Sequence, residues 1–322
     1  MKGYLSVISL FLLCVLSTAT IAEPLKNGFD LKNSLIVAAN IHQGGPSKDG
    51  IPSIDNPKFV SAAQADFMSA NDKVLGIVQA GEAKAYPIKI LNWHEIVNDR
   101  IRGRGVAITY CPLCGTGMVF HSHVKGKTLH FGVSGLLYNS DILLYDRETH
   151  SLWSQILAKS VNGSLVGTPL RSIPVAHIRW QDWKKQHPHT KVLSTDTGYS
   201  RNYNQSPYGN YDKNRSIYFP LSAKSNQYHP KERVLGVCIK QRCKAYPFVE
   251  LVRSGKRSIT DTFASQRLII NFDPDNRDGQ VLSHAGNVGE VGSSTANLVA
   301  SVNSFWFAWF AFHPQTEIYK TE

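Results

Sequence analysis

Two thiols three positions apart, Cys111 and Cys114, lie in the run Thr109-Tyr110-Cys111-Pro112-Leu113-Cys114-Gly115-Thr116-Gly117. Sulfurs at that spacing can share a soft metal ion, exchange electrons as a dithiol and disulfide, or close a small staple. In a thioredoxin-like site the pair opens a helix, whose N-terminus lowers the first thiol's pKa. Here Gly115-Thr116-Gly117 and the strand-forming Met118-Val119-Phe120 follow instead. A Cys-Pro-x-Cys-Gly turn between strands is closer to a metal knuckle, in which backbone amides support thiolate charge. A knuckle supplies two ligands. Zinc would require two more, whereas copper(I) is content with two or three soft donors.

Candidate further ligands are His94, His121, His123, His130 and the distant pair Cys238 and Cys243. Strand alternation puts His121 and His123 on one face, with His130 on the next strand. An ordinary solvated strand face is the default reading of these histidines. His94, in Asn92-Trp93-His94-Glu95, falls on the apolar face of a helix, where a satisfied core histidine is the default. It acquires a catalytic role only if that helix packs over the thiols, and Glu95 would then serve as a base or support. A second dense segment runs from His130 through Ser134, Tyr138, Asn139 and Asp141 to Arg147. It reads either as a ligand-contacting loop or as turn chemistry with a structural Asp–Arg pair. Cys238 and Cys243 bracket a hairpin tip, which favours a cross-strand disulfide.

Several elements must position these residues. Lys2, the apolar run Leu5–Leu16 and Thr20-Ile21-Ala22 form a cleavable export signal over residues 1–22, leaving four cysteines in an oxidising compartment. Cys14 follows Leu13 rather than a small residue, so cleavage without lipidation is expected. The chain is therefore read as exported, periplasmic or extracellular. Formal net charge is +11, dispersed rather than clustered. That pattern excludes a nucleic-acid partner and suits weak association with anionic surfaces. The apolar run 299–312 is shorter than the ~20 residues a bilayer requires and reads as a buried helix.

The chain also repeats itself. Val74-Leu75-Gly76-Ile77 and Lys84-Ala85-Tyr86-Pro87 recur as Val234-Leu235-Gly236-Val237 and Lys244-Ala245-Tyr246-Pro247. Each pair is followed by a segment ending in Asp99 or Asp261, then a β-branched run. Trp183 to Thr190 and Trp309 to Thr316 close the two copies with His-Pro-x-Thr. The expected fold is α+β, antiparallel-strand-rich, with two related lobes from an internal duplication. Residues 23–50 form a lead-in arm, 51–198 the first lobe, 199–230 a Tyr-rich connection and 231–322 a shorter second lobe. Helices are expected over 57–68, 88–97 and 175–186. The second copy has Asp273-Pro274-Asp275-Asn276-Arg277-Asp278-Gly279 where the first has its thiols. Chemistry therefore belongs to the first copy.

The motifs Tyr-Cys-Pro-Leu-Cys-Gly-Thr-Gly at 110–117, Phe-Gly-Val-Ser-Gly-Leu-Leu-Tyr-Asn-Ser-Asp at 131–141 and Leu-Trp-Ser-Gln at 152–155 resemble a family of secreted bacterial proteins grouped under a domain of unknown function. The resemblance runs from Asp49 to Pro314. It implies an exported protein of one architecture and brings no activity with it.

No phosphate-cradling glycine loop or Gly-x-Ser-x-Gly elbow is present. Three readings remain. The first is a protein holding copper or zinc through the Cys-Pro-Leu-Cys turn. The second is a thiol–disulfide oxidoreductase in which Cys111 attacks and Cys114 resolves, with a protein thiol as partner. The third is a module binding an unidentified small molecule between lobes, with structural cysteines.

Overall fold

Alternating apolar and small residues build Lys73–Gln79 and Glu82–Pro87 into an antiparallel hairpin, and Arg233–Ile239 with Arg242–Pro247 into another. Each hairpin carries a glycine against which a tryptophan lies flat. A Cβ on Gly76 would come within 2.4 Å of the Trp183 ring, and one on Gly236 within 2.1 Å of Trp309. Both indoles donate Nε1–H to a threonine, Trp183 to Thr190 and Trp309 to Thr316, each at 3.0 Å. The sheets around the two hairpins match as well. Ala176–Arg179 and Val302–Phe305 add antiparallel to the first strand, while Lys191–Leu193 and Glu317–Ile318 add parallel to the second.

The computed structural model describes residues 25–275, 277–284 and 296–321; the expected leader over 1–22 lies outside them. It corrects the α+β, two-lobed expectation. Strand accounts for 43% of the chain and helix for 12%, in the arrangement of a five-bladed β-propeller. Besides the two sheets above, three more complete the set. One joins Ser172–Ile173, Thr116–His121, Arg104–Cys111 and Ile96–Ile101. The second joins Lys159–Asn162, Leu152–Ser154, Asp141–Asp146, Phe131–Tyr138 and Ile41–Gln43. The last runs Ser258–Phe263, Gln266–Asp273, Asp278–His284 and Ala296–Val299. The repeated segments thus occupy two blades of one assembly rather than two lobes. Hydrogen bonds from Phe305 N to Cys114 O and from Arg233 to Gly115 O tie the halves of the chain together.

The helices are shorter than the sequence suggests. Residues 57–68 hold the strand Phe59–Ser61, paired with Lys191–Leu193, because Phe59 and Val60 complete a sheet edge instead of a helix face. The helices are Ile88–His94, Trp180–Gln186, Phe248–Arg253 and Trp306–Phe312. In the second and fourth, β-branched residues just upstream pair as strand first. The run 299–312 is therefore strand then buried helix, and among the described residues no helix is long and apolar enough to cross a membrane. The lead-in arm contributes Ile41–Gln43 to the edge of the sheet that carries Asp141.

Candidate functional site

The turn between Arg104–Cys111 and Thr116–His121 brings both thiols inside. Cys111 and Cys114 are free and fully buried. Gly115 closes the turn at φ +60°, and an added Cβ would meet Arg233 and Phe305 at 3.0 Å, so side-chain-free, left-handed backbone is required there. The Cys114 amide donates to Cys111 Sγ at 3.4 Å, the knuckle bond that supports charge on the first sulfur.

The second wall comes from the hairpin Phe131–Tyr138 and Asp141–Asp146. Its two-residue loop, Asn139 at φ 53° and Ser140 at φ 64°, has the all-positive backbone of a type I′ turn. Asn139 suits that conformation and is locked by donating to Ala311 O (3.1 Å) and accepting from Ser222 N (2.7 Å). The loop delivers the Ser140 carbonyl to 3.2 Å from Cys114 Sγ and 3.7 Å from Cys111 Sγ. The next residue, Asp141, completes a cluster in which one ligand atom from each of Cys111, Cys114 and Asp141 lies within 4.8 Å of the others. Asp141 Oδ2 accepts from Ile156 N at 3.1 Å, while the buried Oδ1 has no hydrogen-bond partner of ordinary geometry, although both thiols and the Ile142 amide lie close enough to favour the charged carboxylate.

Burial governs the electrostatics. It pushes Asp141 up to about 7, against the Ile156 amide that favours its charged form. It raises both thiols, Cys114 further than Cys111. Lys231 answers from behind. Its ammonium lies 3.2 Å from the Tyr211 ring centroid and donates to Tyr211 O and Ser216 O. Burial lowers it to about 8, opposed by the charge of Cys114.

Cys111 borders a cavity of about 520 Å³ whose wall includes Ile51, Leu137, Ile142, Phe219, Tyr208 and Glu95. Glu95 stands in a left-handed backbone conformation at φ 58°, an uncommon state for a side chain of that size. Burial pushes its carboxyl up to about 7, and Tyr208 donates to it at 2.9 Å. The 199–230 connection supplies Tyr208 and Phe219 and so covers the cavity.

Other candidates lie elsewhere. The three imidazoles do not gather at the thiols: His130 pairs with Glu148 at 2.7 Å, His121 is half-buried and His123 exposed. Ser122 ends the strand between His121 and His123, and the turn at 125–126 lies between His123 and His130, so adjacency in sequence does not become adjacency on one face. His94 is buried with both ring nitrogens used, on Pro52 O (2.8 Å) and Tyr203 Oη (2.7 Å), the arrangement of a hydrogen-bonded core histidine. Ser134 bonds the Leu143 carbonyl, Tyr138 packs edge-on against Phe312, and Arg147 anchors the 49–55 segment through Ser53, Asp49 and Asp55. Cys238 and Cys243 are joined in a disulfide across paired strands, beside His313.

Tyr208, Lys231 and Arg233 were not singled out as site residues from the sequence. The tyrosine-dense connection signalled the first, and nothing local distinguishes the two cations.

A family profile for proteins of unknown function (DUF3179) covers residues 48–316. The chain belongs to the DUF3179 family. No curated protein and no solved structure matches it. For this DUF3179 protein the chemistry must therefore be argued from the thiol site itself.

Proposed function

We propose that this is an exported protein that holds one borderline divalent metal ion, zinc in preference to copper(I), on Cys111, Cys114 and Asp141. The observation that carries this reading is the buried Asp141 Oδ1, unpartnered beside two free buried sulfurs. An orphaned buried oxygen is costly, at about 1–3 kcal/mol, and a cation there would relieve it. A hard oxygen added to two sulfurs favours the divalent ion, since copper(I) is satisfied by sulfur alone. Three protein donors with one side facing a cavity is the ligand count of sites that keep a coordination position open. Glu95 and Tyr208 would act on whatever occupies that position, by accepting or holding a proton.

Burial also weighs against exchange with a protein disulfide. A thiol nucleophile must be accessible and partly ionised, and both sulfurs are fully buried with raised pKa.

The test is anaerobic titration of the chain from Glu23 with Zn²⁺, Co²⁺ and Cu⁺, with metal content read by elemental analysis. One equivalent of zinc and thiolate-to-cobalt charge-transfer bands are expected. Both vanish in Cys111→Ser/Cys114→Ser, and Asp141→Asn weakens zinc at least ~10-fold. Copper(I) bound equally by Asp141→Asn, with zinc refused, would remove the carboxylate from the ligand set. Metal-free protein whose two thiols appear only under mild reductant would replace the metal reading with a dithiol–disulfide couple.

A further inference from the structure

A second cavity, of about 580 Å³, opens on the other side of the thiol turn, where the blades built on the 73–87, 233–247 and 266–284 segments meet. Its cations are Lys73, Arg179, Lys213, Lys231, Arg233 and Arg277, against the carboxylates Asp212, Glu232 and Asp275. Several of these are committed. Lys231 is held by Tyr211 and Ser216, Asp275 is bound by Arg257 at 2.8 Å, Glu232 accepts from Val249 N at 2.9 Å and pairs with Arg277 at 3.6 Å, and Arg233 donates to Asn303 Oδ1 at 3.3 Å.

The placement of Lys73 and Arg179 is the unusual feature. They are direct partners in the register of an antiparallel strand pair. Like charges directly opposite one another destabilise a sheet. Arg233 of the neighbouring blade adds a third cation close enough to oppose the charge of Lys73. The positive charge also reaches the buried ring of His177, which burial first and Arg233 second hold down at about 3, so it stays neutral and donates to Gly117 O. Asp278, Asp182 and the rim carboxylates temper this field, Asp182 by accepting from Arg179 Nε at 3.1 Å. They leave the wall with more cations than anions.

We infer that this cavity binds a small oxyanion carrying at least two negative charges, a phosphate or a dicarboxylate, between Lys73, Arg179 and Arg233. Arginine forks and a lysine point charge on one wall are the donor set such anions select. Three strand termini converging on one spot hold those donors at fixed positions. Arg233 donates to Gly115 O, one residue past Cys114, so the anion would touch a residue that also supports the thiol turn. The inference does not depend on metal at the thiols.

The experiment is isothermal titration of the chain from Glu23 with inorganic phosphate in one arm and succinate in the other, both at constant ionic strength. Saturable binding of one equivalent is expected in at least one arm, and the arm that responds identifies the source of the oxyanion. Lys73→Gln and Arg179→Gln should each weaken it ~10-fold or more, while Lys256→Gln on the exposed surface leaves it unchanged. Thermal unfolding separates binding from structure. Without the anion Lys73→Gln loses the repulsion of Arg179 and Arg233 together with the attraction of the buried Asp278, so its own unfolding midpoint sets the baseline, and from that baseline it should no longer gain stability when the anion is added. No saturable binding in either arm, or binding undiminished by both substitutions, would overturn the inference.

Discussion

Two hairpins of this protein follow the same plan with opposite contents. In the first, Arg104–Cys111 turns into Thr116–His121 through Cys-Pro-Leu-Cys-Gly. In the second, Gln266–Asp273 turns into Asp278–His284 through Pro-Asp-Asn-Arg. Each follows a Lys-Ala-Tyr-Pro strand whose lysine and tyrosine meet one aspartate: Lys84 and Tyr86 on Asp99, Lys244 and Tyr246 on Asp261. The first turn is sealed by the Asn139–Ser140 loop and the 199–230 connection. In the second, Asp273 and Asp275 stay near solvent on Arg257. The frame accepts either turn. What distinguishes the first is the cover laid over it, which encloses thiols, a carboxylate and a lysine where their electrostatic interactions are strengthened.

If the frames are equivalent, breaking both at the same place should cost the same. Gly76→Ala and Gly236→Ala each drive a methyl into a buried indole. A loss of about 3 kcal/mol or more is expected for each, at the upper end of overpacking. Urea unfolding midpoints check this, and a neutral result at either glycine would show that its tryptophan can move and that the blades are not alike.

Glu95 tests the difference between the copies. The helix Ile88–His94 is followed directly by a residue of positive φ, Glu95, whereas after Phe248–Arg253 the positive φ falls beyond Ser254 on Gly255, at 64°. At that position only the first brings an ionisable group inside. A carboxyl whose folded pKa is about 7, above an unfolded value near 4, keeps its proton in the folded state while the unfolded chain has lost it. Its stabilising effect is complete below pH ~4 and is lost as pH rises through ~7. The stability of Glu95→Gln relative to wild type should therefore climb across that window by up to about 3 kcal/mol. Asp141 and Asp278 titrate in both proteins and cancel in the difference. A flat difference between pH 4 and 8 would mean that Glu95 is solvated.

The disulfide separates the copies in the other direction. Cys238 faces Cys243 in the second hairpin tip, where Val78 faces Ala83 in the first. Since the first forms without sulfur, Cys238→Val/Cys243→Ala should keep the fold. It should forfeit about 2 kcal/mol, the loop-closure entropy of so short a ring. Loss of the native circular dichroism spectrum would instead make the bond essential to that blade.

These contrasts also explain what was legible in the sequence. The Lys-Ala-Tyr-Pro and Asp matches stood out because they are contacts of one another, so spacing and identity survive together. Asp141 was visible as part of a dense polar segment, but its meeting with the thiols depends on a two-residue loop whose direction no periodicity reveals. The number of blades was hidden for the same reason: alternation marks a strand without naming its partner. Asn56-Pro57 can open a helix, yet the hydrogen bonds of a waiting sheet edge took Phe59–Ser61 instead. Lys231 and Arg233 carry no local signal, since their roles arise from burial beside elements distant in sequence.

The smallest effect offers the finest comparison of the frames. Trp183 and Trp309 each donate to a threonine hydroxyl at the same distance, but Thr190 is buried and Thr316 is partly exposed. Replacing threonine by valine keeps the shape and deletes the acceptor. An indole N–H left dry loses its partner outright, whereas one near solvent can turn to water. Thr190→Val should therefore cost about 1–2 kcal/mol and Thr316→Val about half that, read from paired urea titrations. Equal costs would mean that water does not reach Trp309. The two blades would then be alike in solvation as well as in backbone, and their difference would be confined to the thiol turn and its cover.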